Sequence, residues 1–323
     1  MPKQAVLLLA HGTPETVEQI PEYLRNVVSG RPLPQAVIEE IQHRYALIGR
    51  SPLTEITLEQ ARLVESELAA GGLPVPVYVG MRNWRPYIPD VVRQMRADGV
   101  EEMAVVCLAP QNSRTSVGLY RRAVEAEAAG LRFDFTAGWA QHPLLAEAFA
   151  ERLRPAFSAL SAEVGAPVPV LFTAHSVPTR TVQPPASTGQ EAEPRLWPGG
   201  QSADPYAEEA HRTAELVAAL VPEIPRWWFA FQSQGASGGP WIGPTVEETI
   251  QKVAGEGYKT LLLQPIGFLC DHVEILYDVD VFFRNYSVKY GIRLERPASL
   301  NASPTLAQAV ADLATQGLER LNT

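Results

Sequence analysis

The sequence has only two cysteines, Cys107 and Cys270, among its 323 residues. Two thiols cannot supply the four ligands of an iron–sulfur cluster. Each cysteine lies in or just after an apolar run, so we expect two buried free thiols of a reducing compartment rather than a disulfide or a metal cluster.

Long apolar runs and excess positive charge are also absent. No apolar stretch approaches the ~18 residues that span a bilayer, and the run Ala5–Ala10 is too short for a signal-peptide core. The 27 Lys and Arg against 36 Asp and Glu give a formal net charge of -9. Nucleic-acid binding needs clustered basic residues. We therefore expect a cytoplasmic protein with no transmembrane segment and no nucleic-acid partner.

Common phosphate-binding and hydrolase motifs are missing or incomplete. No G-x-G-x-x-G follows a predicted strand and no G-x-x-x-x-G-K-[ST] occurs, which argues against a nucleotide ligand. Residues 235–239 match G-x-S-x-G, but the hydrolase motif needs a helix directly after the serine. Pro240 and Pro244 oppose that helix, and the neighbours Asp271 and His272 could hardly both complete a triad. A serine hydrolase is therefore set aside.

The sequence contains one short motif that occurs twice. Residues 6–14 read VLLLAHGTP and residues 170–178 read VLFTAHSVP, so His11 and His175 each follow an apolar run. Two further echoes keep the same order, one from a glycine through an apolar run to Pro110 and Pro265, and one at the segments that begin at Pro143 and Pro304. These echoes indicate a duplicated unit, with one domain over 1–160 and a second over 161–323.

Short β-rich runs alternate with helical periodicity in both halves, which is typical of βαβ units. We predict an α/β fold of two similar Rossmann-like domains, each a four-stranded parallel sheet flanked by helices, with the C-terminal helix packed back on the first domain. Ligands of such sheets bind beyond the carboxyl ends of the strands, so the active site is expected in the interdomain cleft. The predicted strands are 5–10, 75–80, 103–108 and 132–136, then 168–174, 226–232, 259–264 and 291–295.

Acidic side chains and a second histidine follow the third strand of the second half. On a helix, Asp271, Glu274 and Asp278 would lie along one face, beside His272. Acids at a helix N-terminus also favour the macrodipole, which would account for Asp271 but poorly for Asp278. Carboxylates with imidazole suit the movement of protons or of a cation such as Fe, Zn or Mn. We interpret this row of acidic side chains as a relay for protons or for a metal ion.

Two segments rich in proline and glycine precede these acidic residues in the second half of the sequence. Residues 182–203 directly follow the second histidine phrase and predict a long loop, either a lid over the cleft or an unstructured insertion. Trp241 stands between Pro240 and Pro244 and is interpreted as a rigid aromatic wall of a pocket.

Together these residues resemble the ferrochelatase family over nearly the whole chain, most closely its soluble bacterial members. Such enzymes insert Fe2+ into a porphyrin late in haem synthesis. The matching phrases are Gly12-Thr13-Pro14, Arg44-Tyr45 with Ile48-Gly49 and Ser51-Pro52-Leu53, Leu108-Ala109-Pro110, Ala174 to Pro178, Asp204-Pro205-Tyr206, Gln232-Ser233, Pro240 to Pro244, Gly267-Phe268, and Asp271 to Asp278.

The resemblance implies roles for these residues. His175 would remove the pyrrole protons with Glu274 beside it, as a base that titrates near neutral pH. His175, Glu274 and Asp278 would contact the metal or carry protons, with Asp271 and His272 supporting them. The repeated phrase, rather than the resemblance, places His11 across the cleft from His175, so we predict it on the opposite face of the ring, as an axial ligand to the inserted iron. The other implied porphyrin contacts are Arg31, Ser51, Tyr120, Gln232, Ser233 and Trp241, with Arg82 as an addition.

The resemblance leaves the substrate open between coproporphyrin III and protoporphyrin IX, and similarity to the soluble members favours coproporphyrin. It implies no resident cofactor, because Fe2+ is a substrate, and a monomer in transient contact with neighbouring enzymes of the haem pathway. Phe282 stands where some relatives continue the acidic row. A chelatase for another metal or tetrapyrrole, and a non-catalytic tetrapyrrole-binding protein, are the alternatives.

Overall fold

Two parallel sheets of four strands form the frame of the protein, in a computed structural model that describes residues 2–182, 204–235 and 239–322. The strand orders, β2-β1-β3-β4 and β6-β5-β7-β8, are the same in both halves. This repetition confirms the predicted fold. The strands are β1 (Gln4–Ala10), β2 (Val77–Met81), β3 (Glu102–Cys107), β4 (Arg132–Thr136), β5 (Val170–His175), β6 (Trp227–Gln232), β7 (Thr260–Pro265) and β8 (Arg293–Glu295).

Helices cover both faces of the sheets, which explains why the central strands are continuous apolar runs. Residues 5–9 of β1, for example, are completely buried. The helices are α1 (Ile20–Val27), α2 (Gln35–Ile48), α3 (Leu53–Ala70), α4 (Ile88–Ala97), α5 (Val117–Glu125), α6 (Pro143–Val164), α7 (Thr179–Val182), α8 (Tyr206–Ala219), α9 (Val246–Gly255), α10 (Val273–Leu276), α11 (Arg284–Val288) and α12 (Pro304–Leu321), with a π-helix at Asp278–Phe283.

The last helix of each half begins at a proline. Pro143 and Pro304 occupy the first helical positions of α6 and α12. Proline suits that position because its missing N–H would have no partner in the first turn. The side chains of His142 and Ser303 cap the two helices by accepting hydrogen bonds from backbone N–H groups.

These two helices join the halves into one core. Helix α12 packs on α3, β3 and β4 of the first half, and also contacts α6. Helix α6 in turn packs on α8 and β7 of the second half. The predicted boundary at 160/161 falls inside α6. A large apolar cluster therefore runs through both halves. It fixes the carboxyl ends of the two sheets, where the site lies.

Some sequence features fall beyond the described residues. Of the predicted loop at 182–203, only Val182, the last residue of α7, is among the described residues. Ser237 of the G-x-S-x-G match also lies outside the described residues. Within the described part of the chain, no helix is both long and apolar enough to cross a membrane.

Candidate active site

The carboxyl ends of both sheets face one cleft of about 340 Å³. Its walls include residues at or just beyond the ends of strands from both halves, as expected for open α/β sheets. These residues are His11 after β1, Arg82 after β2, Leu108 after β3, His175 at the end of β5 and Gly267 after β7.

His175 and Glu274 form an ion pair in this cleft. The Nε2 atom of His175 lies 3.2 Å from Oε1 of Glu274, and its Nδ1 donates a hydrogen bond to the carbonyl of Ser176. A ring whose Nδ1–H is engaged by a carbonyl can donate from Nε2 only when it is doubly protonated. The contact with Glu274 is therefore an imidazolium–carboxylate pair.

The pKa shifts of the two groups agree with this assignment. Burial lowers the pKa of His175, but the charge and hydrogen bond of Glu274 and the Ser176 carbonyl outweigh it and raise the pKa to about 9. Burial pushes the pKa of Glu274 upward, yet His175 and His272 hold it well below its usual value. The expectation that His175 titrates near neutral pH is wrong for the ligand-free site, because the carboxylate beside it stabilises the proton.

A second histidine reaches the other oxygen of the same carboxylate. Nε2 of His272 lies 3.5 Å from Oε2 of Glu274, and Nδ1 donates to the carbonyl of Cys270 at 2.9 Å. The ring of Phe268 packs against His272 with centroids 4.5 Å apart and against His175 at 6.1 Å. Glu274 is thus held between two imidazoles separated by an aromatic ring.

Gly267 allows this loop to approach the end of β5. A Cβ atom there would lie 2.9 Å from both Cα and Cβ of Ala174, closer than side chains tolerate. Only glycine therefore permits this close approach, which brings Phe268 against His175.

Asp278 lies behind the cleft at the start of the π-helix, and its side chain is 9% exposed. It accepts a hydrogen bond from Ser233 Oγ, and Oδ1 lies 3.5 Å from Nη1 of Arg44, which comes from the opposite half. Burial and the charge of Glu274 raise the pKa of Asp278 to about 6, although Ser233 and Arg44 act in the opposite direction. Its carboxyl can therefore exchange a proton near neutral pH.

Asp271 does not join this row. It precedes α10, so the prediction that Asp271, Glu274 and Asp278 share one helix face is wrong. Its carboxylate instead accepts hydrogen bonds from Ser299 Oγ at 2.7 Å and Asn301 Nδ2 at 2.8 Å. The helix starts later than expected because the preceding residues follow the extended path of the loop.

No group of three or more His, Cys, Asp or Glu side chains that could hold a metal ion occurs within residues 2–182, 204–235 and 239–322. The predicted set of His175, Glu274 and Asp278 is thus not assembled as a tight metal site. Two of its members are engaged with each other and the third is held by Ser233. This arrangement suits transient contact with a cation more than storage.

His11 lines the wall formed by the first half. Its Nε2 lies 3.0 Å from the hydroxyl of Tyr23, and Asn83 Nδ2 lies 3.2 Å from Nδ1 and 3.1 Å from Nε2. Burial, with the positive charges of Arg82, His272 and His175 against the opposing effect of Glu274, lowers the pKa of His11 to about 3. His11 is therefore neutral near pH 7, whereas His175, the other strand-end histidine, is positively charged.

The same wall carries polar groups suited to a carboxylate ligand. Ser51 Oγ is buried and has no hydrogen-bond partner among the described residues. The guanidinium of Arg82 lies over the ring of Tyr120, 5.4 Å from its centroid, and donates a long hydrogen bond to the carbonyl of Thr115. All four residues line the cleft.

Other predicted porphyrin contacts lie away from the cleft lining, and as contacts they stay predictions. Arg31 is exposed, and its Nε donates to the carbonyl of Val28 at 3.0 Å. Gln232 donates to the backbone carbonyl of Glu274 at 2.9 Å, which supports α10 from behind. Ser233 holds Asp278, and Trp241 pairs through its backbone with Pro178.

Sequence reasoning assigned no role to several residues of the site. Arg44, Tyr45 and Tyr206 stand in phrases that carried the family resemblance, and Tyr206 donates to the carbonyl of His175 at 2.8 Å. On the wall formed by the first half, the hydroxyl of Tyr45 forms a hydrogen bond of 2.9 Å with the hydroxyl of Thr13. Tyr23 had no sequence signal, because its contact with His11 depends on how α1 packs.

Comparisons with known proteins agree with this geometry. The family model described as Ferrochelatase matches residues 3–318. The chain is 58% identical over 320 residues to a protein named ferrochelatase from Acidobacterium capsulatum, covering 99% of this chain and 96% of that protein. It is 33% identical over 322 residues to a coproporphyrin III ferrochelatase from Mycolicibacterium vanbaalenii, covering 97% and 89%.

Among solved structures, the chain resembles SirB from Bacillus subtilis with Fe3+. The TM-score is 0.56 at 13% sequence identity, and the match covers 97% of this chain and 95% of that one. A cobalt complex of the sirohydrochlorin chelatase SirB from Bacillus subtilis subspecies spizizenii gives a TM-score of 0.55 at 13% identity, covering 98% and 96%. These structural likenesses support the two-domain fold.

Proposed function

The chain belongs to the ferrochelatase family, and from this premise we propose that it inserts Fe2+ into a porphyrin bound in the central cleft. The reaction exchanges one Fe2+ for two pyrrole protons, so the enzyme is a lyase of the metal chelatase type. It must accept both protons and hold the macrocycle in a shape that exposes the nitrogen lone pairs. A cleft that binds the distorted ring best lowers the barrier by differential binding.

The single observation that carries this proposal is the pairing of His175 with Glu274 opposite a neutral His11 in one cleft. A flat ring between the two walls would meet a proton-exchanging pair on one face and a neutral imidazole on the other. We assign proton removal to the face of His175 and axial ligation of the product iron to His11.

The charged state of the pair defines the order of proton steps. His175 begins as an imidazolium, so its Nε2 proton has to leave before it can accept one from a pyrrole nitrogen. The approach of Fe2+ would favour that loss, because a nearby cation lowers the pKa of an imidazolium. Glu274, whose pKa is held well below its usual value, would relay this proton without holding it, and Asp278, with a pKa of about 6, would accept it.

The porphyrin carboxylates would bind on the wall of the first half. The unpartnered hydroxyl of Ser51 and the guanidinium of Arg82 support this orientation, because hydrogen bonds to carboxylates are strengthened by charge. We favour coproporphyrin III as substrate, with protoporphyrin IX as the alternative. Relatives named coproporphyrin III ferrochelatase, at 29 to 33% identity, support this choice.

We further propose a cytoplasmic monomer that works without a resident cofactor and contacts neighbouring enzymes of the haem pathway transiently. The two cysteines are too few for a four-thiolate cluster, which supports the absence of an iron–sulfur centre. Analytical ultracentrifugation of the purified protein tests the monomer, and a dimer that persists on dilution would contradict it.

Anaerobic incubation with Fe2+ and either porphyrin tests the activity, with loss of the free-base absorption spectrum as the readout. We expect turnover by the parent protein, faster with coproporphyrin III, and a fall of roughly 10²-fold or more in kcat for His175→Ala. His142→Ala is the matched control, because that histidine caps α6 outside the cleft. Equal rates for His175→Ala and the parent would contradict the assigned base.

The same assay separates the alternatives. Preference for Co2+ or Ni2+ over Fe2+ would indicate a chelatase for another metal. Porphyrin binding without turnover of any metal would indicate a tetrapyrrole-binding protein that lost activity.

A further inference from the structure

We propose that Arg296 is a positioning residue that links Asp271 to Asp280. It thereby holds Glu274 and Asp278 where they can move protons away from His175 in the cleft. Arg296 follows β8 and does not line the cleft. The inference rests on the proposed function, because it assigns Arg296 a part in that reaction.

The guanidinium of Arg296 contacts both ends of one segment. Its Nε and Nη2 donate to Oδ1 and Oδ2 of Asp280, each at 2.7 Å, which is a bidentate pair. Nη2 also lies 3.2 Å from Oδ1 of Asp271, nine positions earlier in the chain. The remaining nitrogen donates to the carbonyl of Pro297 at 3.1 Å, and the side chain is only 11% exposed.

The segment between the two aspartates carries the acidic relay. It holds His272, Glu274 and Asp278, and its regular structure is the four-residue α10 and the first turn of the π-helix. The π-helix continues directly into α11, and π-helical turns are rare and occur mostly at functional sites. Besides their direct contacts with His175 and Ser233, Glu274 and Asp278 therefore depend on how this irregular segment is held at its two ends.

Different side-chain contacts hold the carboxylates at the two ends of the segment. Asp271 is also bonded by Ser299 and Asn301, and Asn301 accepts a hydrogen bond at its carbonyl from Gln60 of the first half. Besides Arg296, the cation nearest to Asp280 among the described residues is Arg284, whose Nη2 lies 3.9 Å from Oδ1. Arg296 thus transmits a fixed position from Asp271 to Asp280, two residues from Asp278.

Lysine could not replace this arginine fully. A single ammonium cannot reproduce the planar fork that binds both oxygens of Asp280 while reaching Asp271. A residue that only stabilised the fold would lower the melting temperature, but it would leave turnover by folded molecules unchanged.

Steady-state Fe2+ insertion by Arg296→Met tests the proposal, with the folded fraction measured by circular dichroism. We expect kcat to fall roughly 10- to 100-fold, because displacement of a reacting group by about 1 Å has effects of this size. The KM for porphyrin should stay within about twofold, since Arg296 touches no residue of the opposite wall. Arg296→Lys should recover only part of the loss.

Arg293→Met is the matched control. Arg293 lies on β8, just before Arg296, and also pairs with two carboxylates, Glu163 and Glu295, but it is 46% exposed and touches neither aspartate. We expect its kcat to match the parent. Asp280→Asn should lower kcat as Arg296→Met does, and the double variant should be little worse than either, because both break one link.

A folded Arg296→Met protein with parental kcat would overturn the proposal, as would a loss confined to the KM for porphyrin. Should Arg296→Met fail to fold, Asp280→Asn decides in its place, and parental kcat there overturns the proposal. Absence of turnover in the parent would count against the proposed function. Parental turnover that is unchanged in both variants would count against the role of Arg296 alone.

Discussion

Glu274 holds a proton on His175 across a 3.2 Å contact, with each side chain 31% exposed. Because the pKa of His175 is raised from 6.5 to about 9, its folded state binds the proton more tightly than the unfolded chain does. The resulting stabilisation is complete below about pH 6.5 and is lost as the pH rises through 9. Glu274→Gln should therefore lower stability by roughly 1–2 kcal/mol at pH 6.5, after allowance for solvent screening, and by little at pH 10.

Thermal unfolding of both proteins between pH 6 and 10 checks this prediction. Glu215→Gln is the control, because Glu215 pairs with His211 at 3.3 Å on the exposed face of α8. An exposed pair of this kind contributes little, so that variant should follow the parent at every pH. A constant gap between Glu274→Gln and the parent across the range would show that His175 does not hold the extra proton.

The fold was largely predictable because its strands are apolar runs and its halves repeat. The limits of the predicted strands lie within two residues of the observed ones, as with 75–80 against Val77–Met81. Parallel strands buried on both faces leave this strong sequence pattern. The sequence predicted that the C-terminal helix α12 packs on the first half, but not that α6 packs on the second half. Which sheet a helix covers depends on long-range packing, which local sequence patterns do not give.

The site was predictable at strand ends and less so elsewhere. His11, His175 and Glu274 line the cleft as expected from their positions after strands. Helical spacing misplaced Asp271, because it assumes a regular helix where the chain has a loop and then a π-helix. The charge state of His175 depends on a distance to Glu274, which spacing alone does not give.

Ser51 should affect ligand binding and stability in opposite directions. Its buried hydroxyl lacks a hydrogen-bond partner in the described structure, so the ligand-free protein bears the cost of its desolvation. Ser51→Ala should leave the free energy of unfolding unchanged or raise it by up to about 1 kcal/mol. The KM for porphyrin should rise roughly 5- to 10-fold if the hydroxyl binds a carboxylate.

Chemical denaturation and steady-state kinetics measure these two effects. Ser113→Ala is the control for stability, because Ser113 is also buried but bonds Thr115 at 2.9 Å. That variant should be destabilised where Ser51→Ala is not. A parental KM in Ser51→Ala would remove Ser51 from the porphyrin site.

His11 should be visible in the spectrum of the bound product. Its pKa of about 3 keeps the imidazole neutral, the form that binds iron. His11→Ala should therefore shift the absorption bands of the bound haem, whereas Tyr23→Phe, which removes only a hydroxyl near Nε2, should alter them less. Identical haem spectra for His11→Ala and the parent would exclude His11 as an axial ligand.

Asp278 should lower the free energy of unfolding near neutral pH while it supports Fe2+ insertion. Its pKa is raised from 3.8 to about 6, so the folded state disfavours the ionised form. The stability contributed by Asp278 therefore falls as the pH rises from about 4 through 6 and stays reduced above. Asp278→Asn should raise the free energy of unfolding by roughly 1–3 kcal/mol at pH 7.5 and change it little at pH 4. Its kcat should fall about 10-fold or more, because the amide cannot carry a proton.

Ser233→Ala distinguishes this account from a simple gain in packing. Ser233 lowers the pKa of Asp278 by donating a hydrogen bond, so its removal should move the pKa still higher. The acidic limb of the kcat profile should then shift to higher pH in Ser233→Ala and disappear in Asp278→Asn. If both variants kept the parental limb, another group would set it, and Asp278 would have no part in moving protons from Glu274.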